Sequence, residues 1–201
     1  MRRRRRNSTL AGLGLAGLLA LTGCASRLGS IHGSLDPKTV SPDAVVMAWP
    51  AEGKSSYESN AHVRVLQTAK GFEPHVSIVS PGATVVFKNE DGVYHNAFCV
   101  QKESPFDVGS YAPGQTRGVR MRKPGVYQVF CELHPKESAY VVVSPDRWHT
   151  RPQADGKFAF KDLPPGKYAV RVWRPNKKDL LGSADVTSKK AVNVRFESES
   201  R

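Results

Sequence analysis

The stretch that most constrains this chain is residues 126–140, Val-Tyr-Gln-Val-Phe-Cys-Glu-Leu-His-Pro-Lys-Glu-Ser-Ala-Tyr. Its first six residues alternate, so Tyr127, Val129 and Cys131 share one face of an extended strand. His134 follows in Cys-x-x-His spacing, and Pro135 stiffens the loop behind it. A turn of that length can aim a thiolate and an imidazole at one ion. Upstream, Asn89-Glu90-Asp91-Gly92 reads as a turn, and Tyr94-His95-Asn96 supplies a second histidine just after it. Two imidazoles and one thiolate are the donor set of a trigonal copper site.

These residues resemble the cupredoxins, the plastocyanin-like copper proteins. The resemblance is carried by Asn89-x-Asp91, His95-Asn96, Pro124-Gly125-x-Tyr127 and Cys131-x-x-His134, and it runs from about residue 72 to residue 143. It implies a Greek-key β-sandwich around one mononuclear copper ion, with His95, Cys131 and His134 as ligands. Asn96 matches the asparagine that ties the two ligand loops together. One position departs. The related sequences with His-Pro-x-Met place an axial methionine three residues past the histidine, where this chain has Glu137. No later methionine exists, since the three are Met1, Met47 and Met121. Two arrangements follow for Glu137: an axial carboxylate ligand, or a solvent-facing side chain beside a three-coordinate ion.

The other end of the chain reads as a targeting segment. Residues 2–6 are all arginine, and residues 10–21 form an apolar run too short to span a bilayer stably. Leu21-Thr22-Gly23-Cys24 then resembles a bacterial lipobox, which implies cleavage before Cys24 and lipidation of that cysteine. The implied location is the periplasmic face of a bacterial membrane. Ala25, rather than aspartate, mildly favours the outer membrane. With Cys24 lipidated, Cys99 and Cys131 remain in an oxidising compartment. A disulfide between them is the alternative to the metal site, but it gives the spacing of His95 and His134 no purpose. Cys99 reads as a small buried hydrophobe on the strand that follows His95.

The formal net charge is +12, of which residues 2–6 supply five. The remaining excess is spread along the chain, with no basic block interleaved with aromatics, which argues against a nucleic-acid partner. Nothing matches a catalytic triad, a phosphate loop or a zinc-type Cys-x-x-Cys pair.

Short strand-like runs with turn signals recur from residue 31 to residue 196, so the chain is expected to be all-β with little helix. Runs at 31–35 and 44–49 come first, followed by a polar connection over 51–60. Further strands are expected at 62–67, 75–79, 84–88 and 140–143. Residues 116–122 and 126–131 are expected to form a hairpin across Lys123-Pro124-Gly125, and residues 101–114 a long loop. His32, His62 and His75 read as structural or surface histidines, and Trp148 and His149 as linker packing. Past residue 144, Asp155-Gly156-Lys157-Phe158 and Leu163-Pro164-Pro165-Gly166-Lys167-Tyr168 resemble carboxypeptidase regulatory-like and transthyretin-like β-sandwich modules. Tyr168, Val170 and Val172, and then Val192, Val194 and Phe196, alternate as strands of one sheet face. That module's opening pattern stands at 31–49 instead. The expected organisation is a signal peptide over 1–23, a tether over 24–29, a second small sandwich from 30–52 and 145–200, and a cupredoxin unit over 53–144 inserted into it.

The function these features imply is one-electron transfer by a membrane-anchored copper protein, with a redox partner protein docking near the His134 loop. Copper storage or sensing is an alternative. So is a small-molecule site similar to that of nitrosocyanin, which has a carboxylate in a cupredoxin-type centre. A metal-free scaffold held by the disulfide is the remaining reading.

Overall fold

The computed structural model describes residues 28–53, 55–102, 104–188 and 190–196. The expected signal peptide and Cys24 lie outside the described residues. The regular structure of the described chain is strand, apart from one short 3-10 turn. In order these are β1 (Gly29–Ser34), β2 (Val45–Pro50), β3 (His62–Thr68), β4 (Gly71–Glu73), β5 (Val76–Val79) and β6 (Thr84–Asn89). Next come β7 (His95–Cys99), β8 (Phe106–Tyr111), β9 (Thr116–Arg120), β10 (Gly125–Phe130) and β11 (Ser138–Val143). The last are β12 (Trp148–Thr150), β13 (Lys157–Leu163), β14 (Gly166–Trp173), β15 (Leu180–Val186), β16 (Ala191–Asn193) and β17 (Arg195–Phe196). A single 3-10 turn, Pro37–Thr39, separates β1 from β2.

Strands β3 to β11 make a β-sandwich, where the cupredoxin-like unit is expected. One sheet has the order β4-β3-β6-β9 and the other β5-β11-β10-β7-β8. Their inner faces enclose Val65, Phe72, Val85, Phe87, Tyr111, Tyr127, Val129 and Val141. The expected hairpin of residues 116–122 and 126–131 does not form. β9 pairs with β6 and β10 with β11, so Lys123-Pro124-Gly125 crosses from one sheet to the other. Met121 and Tyr127 explain it, because both are buried in the same core and must face each other across the sandwich. The expected loop over 101–114 contains strand β8. Its pairing with β7 slips between Asn96 and Phe98, so three residue steps in β8 oppose two in β7. Gly109, at φ +72°, lies in that extra step. The bulge shifts the inward phase from Phe106 and Val108 to Tyr111, which hides the alternation.

The remaining strands lie in two further sheets, β13-β1-β16 and β12-β2-β14-β15-β17. Ile31, Val46, Ala48, Phe158, Phe160, Leu163, Tyr168 and Val170 form their common core. Thus β2 pairs with β12 and β14, and β1 with β13 and β16. Residues 192–196 do not serve a single sheet face: β16 joins β1, while β17 joins β15. Trp148 and His149 belong to a strand rather than a linker. His75 is structural, with its Nδ1 at 2.7 Å from Asp43 Oδ2. His32 and His62 are exposed.

Candidate metal centre

His95 is the first residue of β7, and Cys131 follows the last residue of β10, so the two paired strands deliver both side chains to one end of the sandwich. Both are buried. The connection after Cys131 is closed by its own backbone: Glu137 N–H donates to His134 O (2.9 Å), and Cys131 N–H donates to Glu137 O (3.3 Å). That closure turns His134 and Glu137 back toward the thiol. Cys131 Sγ lies 3.5 Å from His134 Nδ1 and 3.7 Å from His95 Nδ1. Glu137 Oε2 lies 3.2 Å from His95 Nδ1, and Oε1 lies 3.8 Å from His134 Nδ1. One ligand atom from each of these four residues lies within 4.8 Å of the other three.

Those separations fit a single ion. Nitrogen and sulfur donors sit about 2.0–2.3 Å from a first-row ion, which puts neighbouring donors about 3–4 Å apart. The donor chemistry, two imidazoles with one thiolate, suits copper. Glu137 faces this cluster, its side chain only 14% exposed. Its side chain is turned toward the other three residues rather than out to solvent. Gly71 packs beside it. A Cβ on Gly71 would lie 3.4 Å from Glu137 Cγ, and its φ of +96° lies in the region that favours glycine.

Surrounding residues orient the donors. Asp91 Oδ2 lies 3.1 Å from His95 Nε2. The Asp91 carboxyl is held below its usual range, first by the Gly92 backbone N–H and then by His95, so it is ionised and can only accept. His95 Nε2 therefore donates to Asp91, which turns Nδ1 toward Cys131 and Glu137. Asn96 Oδ1 accepts from Glu132 N–H at 2.7 Å and so ties the His95 strand to the Cys131 loop. Asn89 anchors the turn before His95, donating to Val93 O (2.7 Å) and accepting from Asp91 N–H (2.9 Å). Cys99 and Cys131 are both free thiols, so the expected alternative of a disulfide is absent. Burial pushes the Cys99 thiol up.

The sequence reading missed Gln67 and Tyr111, both fully buried beside the cluster. Gln67 reaches His95, Asn96 and Glu137 through its amide nitrogen, and its carbonyl accepts from the Tyr111 hydroxyl. A lone glutamine in an apolar strand run, Val-Arg-Val-Leu-Gln, was the available signal.

No family model matches the chain. Among curated proteins, plastocyanin of Ginkgo biloba is 34% identical over 87 residues, which are 36% of this chain and 88% of that protein. The chain belongs to the plastocyanin family. Chloroplastic plastocyanin of Fritillaria agrestis is 35% identical over 74 residues, and there the chain spans 45% of the relative's length. Among solved structures, the purple cupredoxin from Nitrosopumilus maritimus aligns with 41% of this chain and 99% of its own, at 22% identity and a TM-score of 0.38.

Proposed function

We propose that this plastocyanin-family protein is a mononuclear copper protein that transfers single electrons, with His95, Cys131, His134 and Glu137 as its ligands. The observation that carries the reading is the convergence of one ligand atom from each of these four residues within 4.8 Å. A copper ion held there supplies one-electron exchange between Cu(I) and Cu(II). The protein's part is to hold the donors still. Three of them hang on strand ends and on a loop closed by backbone hydrogen bonds, and His95 is fixed by Asp91. Little has to move when the charge changes. His134 is the outermost donor, with a side chain 36% exposed, and so is the route by which an electron leaves.

A redox partner protein docks around His134. Val93, Tyr94 and Leu133 support this, as large apolar side chains left exposed directly before the two histidine ligands. The chain acts at the periplasmic face of a bacterial membrane, held by a lipid on Cys24, with the outer membrane preferred. The arginines at 2–6, the apolar run at 10–21 and Leu21-Thr22-Gly23-Cys24 support that placement. The domain plan is a cupredoxin unit over 53–144 inserted into a sandwich built from 30–52 and 145–200. It is supported by the pairing of β2 with β12 and β14.

Metal analysis and the visible spectrum of the purified chain test the function. One copper per chain is expected, with a thiolate-to-copper band. A weak axial ligand would place an intense band near ~600 nm, and a bound carboxylate would weaken it or shift it to the blue. A chain that takes up no copper, or takes it up with no thiolate band, would sink the reading.

A further inference from the structure

Gln67 is a polar side chain with no exposure at all, placed in the core of a sandwich directly behind the four donors. Its backbone is held from both sides, because Gln67 pairs with Phe72 of β4 and with Asn89 of β6. Glu90 N–H also donates to its carbonyl at 2.8 Å. Burying an amide is costly unless its donors and acceptor are all used.

Three acceptors surround the Gln67 amide nitrogen: Glu137 Oε2 at 3.1 Å, His95 Nδ1 at 3.3 Å and Asn96 O at 3.4 Å. The nitrogen has only two protons. When His95 Nδ1 gives its lone pair to a metal ion, that acceptor is withdrawn, and the two protons match the two oxygens that remain. The Gln67 carbonyl accepts from the Tyr111 hydroxyl. Rotating the amide by half a turn would set its oxygen against Asn96 O and against the Glu137 carboxylate. The hydroxyl of Tyr111, itself fully buried, therefore helps to lock the amide in one orientation.

From this we propose that Gln67 is the positioning residue for the fourth ligand. It anchors Glu137 Oε2, holds the carboxylate turned toward the other three side chains, and so would set how strongly the site favours Cu(II). The inference rests on the copper reading above and specifies how that site is tuned. It explains why a carboxylate can serve here in place of a thioether: the strand behind it carries an amide donor that holds the extra negative charge.

The test is a double-mutant cycle on the copper-loaded protein, read by reduction potential and by visible and paramagnetic resonance spectra. Gln67→Leu removes the anchor. The carboxylate, a hard donor that favours Cu(II), then loses its hold on the ion. The expected result is at least a tenfold fall in affinity for Cu(II) relative to Cu(I), a rise of ~59 mV or more for one electron, with the thiolate band moving toward that of Glu137→Ala. In the Glu137→Ala background the same substitution should produce no further shift. An unchanged or lowered potential would overturn the inference, and so would an equal shift in both backgrounds. Should Gln67→Leu fail to accumulate, Tyr111→Phe carries the test. It removes only the hydroxyl that orients the amide, and is expected to shift the potential upward by less, again only while Glu137 is present. Glu137→Ala leaving spectrum and potential untouched would remove Glu137 from the ligand set and the inference with it, while the His95, Cys131 and His134 reading stands. A parent protein with no copper-dependent band would instead defeat the copper reading itself.

Discussion

At Cys131 the chain has a thiol whose removal should cost chemistry and not fold. Cys131→Ser keeps a small side chain at the end of β10, where the Glu137 carbonyl still accepts from the backbone N–H. The protein should fold, bind copper weakly and lose its thiolate band; persistence of the band would move the thiolate to Cys99. Glu137→Met is a sharper substitution. It replaces a hard anion with a soft thioether at a half-buried position that faces both histidines. The potential should rise, by ~59 mV for each tenfold loss of preference for Cu(II), and a band near ~600 nm should strengthen. An unchanged spectrum would mean that the carboxylate is not a donor. The clustering of His95, Cys131 and His134 was legible because their spacing is local or repeats a known pattern, and Glu137 stood in the sequence as a candidate of the same loop. Gln67 was not, because nothing in Val-Arg-Val-Leu-Gln says which face of β3 looks toward a loop seventy residues later. That information exists only once β3 lies beside β6 and the strand carrying Tyr111 closes over it.

Strands and turns set the precision with which those residues meet. The turn from β3 to β4 passes beneath Glu137 at Gly71, whose φ of +96° a branched residue rarely adopts. Gly71→Val should therefore cost about 1–3 kcal/mol in backbone strain. It should also push on Glu137, so thermal unfolding and copper affinity should fall together; a loss of stability with copper affinity intact would separate the turn from the site. Strand β12 gives a pH-dependent prediction. His149 Nε2 lies 3.1 Å from Ser80 Oγ, and burial lowers the pKa of the imidazole. The folded state therefore prefers the neutral ring. Its contribution to stability is complete above the usual histidine value of about 6.5 and is lost as the pH falls from there to the lowered folded value. Chemical denaturation between pH 7 and pH 5 should show this loss, and His149→Gln should flatten it. Strands β3, β5 and β6 were readable from alternation and turn residues, whereas the three-residue β4 was not. The β7–β8 bulge at Gly109 and the sheet crossing at Lys123-Pro124-Gly125 were not, since each breaks the local period for a reason that lies in the opposite sheet.

Over the whole molecule, the apolar runs that refuse to alternate turn out to be the informative ones. In β2, Val46 and Ala48 enter the core shared with Phe158 and Val170, while Val45 and Met47 face the other way. In β11, Val141 and Val143 enter the core around Phe87, while Val142 and Tyr140 face outward to meet them. A strand buried on both faces reads as a continuous apolar run, so residues 44–49 and 140–143 mark a seam between two sandwiches. Trp173 fills it, only 7% exposed, with its ring 5.2 Å from that of Tyr140. Around it, Arg151 donates to Pro42 O at 2.6 Å and also to Val76 O, and His75 pairs with Asp43. Trp173→Ala should cost about 3–5 kcal/mol, the range for emptying a buried aromatic site. The consequence is not only a lower melting temperature. Copper stabilises whatever unfolds with its site, in proportion to the logarithm of its concentration over Kd. In the parent protein the seam couples both cores, so one calorimetric transition should rise with copper. In Trp173→Ala the coupling is weakened, so two transitions should separate and only the one belonging to the β3–β11 sandwich should rise. If the variant still melts in a single transition that copper raises in full, the two sandwiches are one cooperative unit, and the seam is not what joins them.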